Sequence, residues 1–139
     1  MNESVTKHLI ARGYKGAMAE KGVEGFLERW RYAVRILSGE SCNWIIHDYW
    51  VELIRRAVLD ELLPLLPEEE RAQVASELEQ LDDQFRRNTW PTLHKLNKAS
   101  RATGKNAWRD FRLPKNIKLD EDVQAYIREA QAHEPKSDP

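Results

Sequence analysis

Apolar side chains recur at intervals of three and four through most of this chain, a spacing that commits it to α-helices. Between Val23 and Leu37 the residues Val23, Phe26, Leu27, Trp30, Val34 and Leu37 form one stripe, with Glu24, Glu28, Arg31 and Arg35 opposite. From Asn43 to Leu63 the apolar set is larger: Trp44, Ile45, Ile46, Tyr49, Trp50, Leu53, Ile54, Ala57, Val58 and Leu62. These cover more than one face of a helix, which predicts that residues 43–63 form the central, most buried one. No stretch shows the alternation of β-branched residues that a sheet would need.

Prolines and glycines set the expected boundaries. Pro64 has no N–H to donate and should end the central helix, whereas Pro67 followed by Glu68, Glu69 and Glu70 suits a helix start. Acids there face the positive end of the helix dipole. The helix that follows should run towards Asn88, with Val74, Leu78, Leu81 and Phe85 in the core and i, i+4 pairs Asp82–Arg86 and Asp83–Arg87 outside. Glycines at positions 13, 16, 22 and 25 predict that the helix starting near Ser4 is short or broken. A further helix is expected after Pro91, ending at Gly104, and a last one from the N-cap Asp120 with Val123, Ile127 and Ala130 inward. The expected architecture is therefore all-α: a single-domain bundle of five or six helices over residues 1–133, with 134–139 as a flexible tail.

A length of 139 residues suits one hydrophobic core. Cys42 stands alone, which excludes an internal disulfide and a multi-cysteine zinc site. The N-terminal residues show no signal-peptide pattern and no apolar run long enough for a membrane span, so a cytoplasmic protein without a membrane partner is expected. Oligomeric state is left open.

Charge is sharply segregated. Ten of the basic residues and only one acid, Asp110, fall between Arg86 and Lys118, whereas residues 1–85 hold sixteen acids against ten bases. Such a block either meets an anionic partner or lies against acids of the same chain, Glu77, Glu79, Asp82 and Asp83 among them. On the first alternative, Lys95, Lys98, Arg101, Lys105, Arg109, Arg112, Lys115 and Lys118, with Trp108 between them, are candidate nucleic-acid contacts, because phosphates need several cations and bases stack on aromatic rings. The corresponding function is a non-enzymatic binding module that recognises an anionic partner, nucleic acid first, through residues 95–118. A protein partner is the next expectation: a basic protein held on the acidic helices around Glu68 to Asp83, in the manner of a small immunity or inhibitor protein. Neither reading assigns a catalytic residue, a metal ligand or a cofactor.

Two short stretches resemble known families. His47-Asp48, set in the central helix, resembles the metal-binding pair of HD-type phosphohydrolases; with His8 and either Asp110 or Asp82 it would imply a metal-dependent hydrolase. Residues 116–130 resemble the strand and first helix of ribbon-helix-helix DNA-binding proteins, which would turn Asn116 and Lys118 towards bases. Of the five tryptophans, Trp30 and Trp50 fall on core stripes, while Trp44 and Trp90 lie at helix ends, where a ring can face a partner.

Overall fold

The computed structural model describes residues 2–39, 43–91 and 104–117, together with Ala125. The helices expected after Pro91 and from Asp120 fall outside the described residues, as does the tail. Within them the architecture is the expected all-α bundle, with one addition, a two-stranded ribbon.

Helix α1 (Glu3–Ala11) starts at Asn2, whose side-chain oxygen accepts the Val5 N–H at 3.1 Å, and buries Val5 and Leu9. The glycines then turn the chain into the short α2 (Ala17–Lys21) and the long α3 (Val23–Leu37). Gly22 joins these two with φ +59, a conformation that L side chains rarely adopt, and a Cβ there would sit 3.3 Å from Val5 Cγ1. Its lack of a side chain lets α1 pack against the start of α3.

Helix α4 (Ile46–Leu62) begins where Asp48 Oδ2 accepts the Ile45 N–H at 2.9 Å, and Pro64 ends it in a 3-10 turn, Leu63–Leu65. Helix α5 (Glu68–Arg87) opens after Pro67, as the three glutamates predict. The stripe of α3 is fully used: Phe26, Trp30, Val34 and Leu37 are buried against Tyr49, Leu53, Val58, Leu59 and Leu62 of α4 and Leu78 and Phe85 of α5. Three aromatic rings meet at its centre, with Phe85 5.2 Å from Trp30 and 6.4 Å from Tyr49. α4 is heavily buried as expected, but it is α3 that lies against α2, α4 and α5.

After α5, strand β1 (Thr89–Pro91) pairs antiparallel with β2 (Arg112–Pro114), Trp90 opposite Leu113. Each strand ends in proline, which has no N–H to donate and keeps the ribbon short. A 3-10 helix, Gly104–Phe111, leads into β2 and rests on α4. Among the described residues no helix is long and apolar enough to cross a membrane.

Candidate functional site

The segment 104–117 carries four of the ten basic residues of the block, Lys105, Arg109, Arg112 and Lys115, and how it docks decides which of its cations face outward. Tyr49, fully buried on α4, donates its hydroxyl to the Arg112 carbonyl at 2.7 Å. Burial pushes the Tyr49 pKa well above that of a free phenol, so the hydroxyl keeps its proton and remains a donor.

Arg109 enters the protein. Its guanidinium bonds Asp60 of α4 and reaches Asp82 of α5 at 3.4 Å, and only 5 % of its side chain is exposed. Arg56 completes the group, bonding Asp82 at 3.0 and 2.6 Å and Asp60 at 2.9 Å, while the Trp30 indole N–H donates to Asp82 at 3.0 Å. Two arginines and two aspartates therefore form a neutral network between α4, α5 and the 3-10 helix. Burial, then the nearby Arg56 charge, lowers the Arg109 pKa; for Arg56 burial pulls the same way, but the bonds to Asp82 and Asp60 outweigh it and the net direction is up. Guanidinium groups start so high that both remain cations.

Arg112 is also buried. Its guanidinium donates to Thr89 Oγ1 at 2.9 Å, to the Thr89 carbonyl at 2.9 Å and to the Arg86 carbonyl at 2.7 Å, closing the C-terminal end of α5. For Arg109 and Arg112 the expectation of outward-facing nucleic-acid contacts is corrected: desolvated and bonded inside, they hold the segment in place. The alternative in which the block meets the chain's own acids applies to Arg109, and Asp82 is one of the acids expected.

Other candidates face outward. Lys115 is exposed; its ammonium lies 4.2 Å from the centre of the half-buried Trp90 ring and donates to the Arg87 carbonyl at 3.2 Å. Trp108 is half-buried, edge-on to Phe85 at 5.8 Å, with the Arg86 guanidinium 4.4 Å from its centre and Arg109 at 5.5 Å. Lys95, Lys98, Arg101 and Lys118 lie outside the described residues, and so does the side chain of Lys105.

Arg86 was not a candidate from sequence, because the i, i+4 rule paired it with Asp82. The network takes Asp82 instead, and Arg86 is left over the Trp108 ring with its Nε buried and no acceptor. Beside it opens a cleft of about 820 Å³, walled by α5 from Ala75 to Arg86 and by Asn106 and Trp108. The other pair, Asp83–Arg87, does form, at 3.3 Å.

The residues suggested for a metal-dependent hydrolase do not assemble. His47 and Asp48 are exposed at the first turn of α4, and Asp48 caps that helix. His8 bonds Glu61 at 2.8 Å near the opposite end of α4, ~20 Å away at the helical rise. Asp82 is committed to Arg56, Arg109 and Trp30. Among the described residues no group of three His, Cys, Asp or Glu could hold a metal ion. Of the strand expected at 116–119, residues 118–119 lie outside the described residues; Ile117 is a bridge residue, and Asn116 turns inward to bond the Ile36 and Gly39 carbonyls at 2.9 and 3.0 Å.

Comparison of the chain with protein-family models, with curated proteins and with solved structures finds no match in any of the three.

Proposed function

We propose that this chain is a non-enzymatic binding module that holds an anionic partner, nucleic acid in the first place, on the surface at the C-terminal end of α5. The observation that carries the reading is Lys115, an exposed cation seated 4.2 Å over the half-buried ring of Trp90. A cation beside an aromatic face offers a phosphate and a base their respective contacts. Arg87, whose side chain is 70 % exposed, lies on the same end, since Lys115 bonds its carbonyl. In this reading Arg109 and Arg112 are anchors, and the contacts include Lys95, Lys98, Arg101, Lys105 and Lys118. Arg101 and Lys118 stand three residues and one residue in sequence from the docked 104–117.

Fluorescence anisotropy with a labelled single-stranded oligonucleotide tests this. Log affinity should fall linearly with log salt, and Lys115→Glu with Arg87→Glu should weaken binding by about tenfold or more while flattening that slope. Affinity indifferent to salt would falsify the proposal.

A second reading, a basic protein partner, is favoured by the exposed acids of α5. Glu68, Glu69, Glu70 and Glu79 are exposed and have no cation within ion-pair distance among the described residues. A complex that survives nuclease and is lost on Glu69→Lys with Glu79→Lys would support it; one that nuclease abolishes would count against it.

A further inference from the structure

We propose that the cleft between α5 and the 3-10 helix is a binding site for a small anionic ligand, one presenting a phosphate or carboxylate group to Arg86. The inference deepens the anionic-partner reading by naming a ligand chemistry for this end of α5, yet it rests on different residues.

The argument starts from which charges in the cleft are already engaged. Its lining includes two cations, Arg56 and Arg86, and three carboxylates, Glu79, Asp82 and Asp83. Arg56 and Asp82 neutralise each other inside the network, and Asp83 is paired with Arg87. Among the described residues two uncommitted charges line the cleft: Arg86 at one end and Glu79 two turns away, ~10 Å along the helix.

Arg86 is the better placed of the two to take a ligand. A guanidinium has five N–H donors in a flat fork, and this one makes no hydrogen bond with its side chain among the described residues, although its Nε is sealed from solvent. The terminal N–H groups of the fork, which have no acceptor among the described residues and are not sealed as the Nε is, are the ones left for an incoming anion. Lying 4.4 Å from the Trp108 ring centre, the guanidinium is held against the ring, so a ligand would meet a positioned group with little side-chain freedom left to lose. Trp108 is itself fixed between Arg86, Arg109 and Phe85.

The neutral lining suits the same ligand. Asn106, Gln80 and Ser76 contribute amide and hydroxyl donors around the cleft, and Ala75 with Leu63 and Leu78 adds apolar wall. A volume of about 820 Å³ falls in the range that holds small molecules. Phosphate and carboxylate groups each present two oxygens that fit the flat guanidinium fork through two parallel bonds, which a lysine cannot reproduce.

Titration of the whole chain with inorganic phosphate and, separately, with succinate tests the site, read by the indole N–H resonance of Trp108. Saturable shifts with either anion are expected, and the stronger of the two identifies the ligand class. Arg86→Ala should abolish saturation, and Arg86→Lys, which keeps a cation on the ring, should weaken binding by about tenfold because the fork is lost. Glu79→Gln should tighten binding several-fold by removing the carboxylate of the described lining that has no cation partner, an effect that a purely structural Arg86 would not produce. Lys115→Glu alone should leave this titration unchanged while weakening oligonucleotide binding, so the two proposals fail separately. No saturable shift with either anion, or identical titrations in wild type and Arg86→Lys, overturns the inference.

Discussion

Asp82 makes three attachments that belong to three different parts of the chain: the Trp30 indole, the Arg56 guanidinium and Arg109. Its spacing from Arg86 predicts a helical ion pair, but an exposed i, i+4 pair contributes only ~0.3–0.5 kcal/mol. Two desolvated guanidinium groups need a counter-charge far more, and they take it. Asp82→Asn preserves the shape and leaves two buried cations facing Asp60 alone, so a loss of ~3–5 kcal/mol is expected. Urea unfolding checks this: the midpoint should drop while the denaturant slope stays the same. The same competition explains why Arg86, which sequence reasoning pairs off and sets aside, becomes the unpaired cation of the cleft.

At the scale of elements, the ribbon and the 3-10 helix are held by a few polar bonds as much as by apolar contact. Leu113 is buried against Ile46, Trp50 and Trp90, and the Arg112 guanidinium binds the Arg86 carbonyl of α5 and the Thr89 carbonyl of β1. Tyr49 donates to the Arg112 carbonyl from the neighbouring α4. Tyr49→Phe retains the ring and removes the hydroxyl that donates to that carbonyl, so it should remove ~1–2 kcal/mol. Hydrogen exchange should show the loss locally, with the amides of β1 and β2 exchanging faster while those of α3 keep their protection. Equal acceleration in both would contradict this account of how the segment is docked. None of it is visible in the linear pattern, because Arg112 stands in a row of cations and nothing local distinguishes an anchor from a contact.

For the molecule as a whole, cross-links between helices make stability depend on pH. Glu61 of α4 bonds His8 and Arg12 of α1, and Glu77 of α5 bonds Arg31 of α3. Burial alone would raise the Glu61 pKa, but the bonds from Arg12 and His8 outweigh it and the net direction is down; Glu77 is lowered chiefly by its bond from Arg31. A carboxyl whose folded pKa lies below its unfolded one adds stability above the ordinary carboxylate range, and this is lost as pH falls through the depressed value. Thermal melts from pH 7 downward should therefore show Tm falling below about pH 5, and Glu77→Gln should flatten part of that decline. Its side chain is 36 % exposed, so the Glu77 share should be the smaller one.

Helix type was legible because it depends on near neighbours. The stripe from Val23 to Leu37, the stop at Pro64 and the start after Pro67 follow from side-chain spacing and from the missing N–H of proline, and each stands where the pattern places it. Trp44 and Trp90, expected at helix ends, are half-buried, Trp44 packed on the core ahead of α4 and Trp90 against Leu113 in β1. Which of ten clustered cations face outward was decided only in three dimensions. Whether an arginine is a contact or a strut depends on whether a carboxylate or carbonyl from a distant segment reaches it in a desolvated place, and Asp60, Asp82, Thr89 and Arg86 meet Arg109 and Arg112 only once the helices have packed.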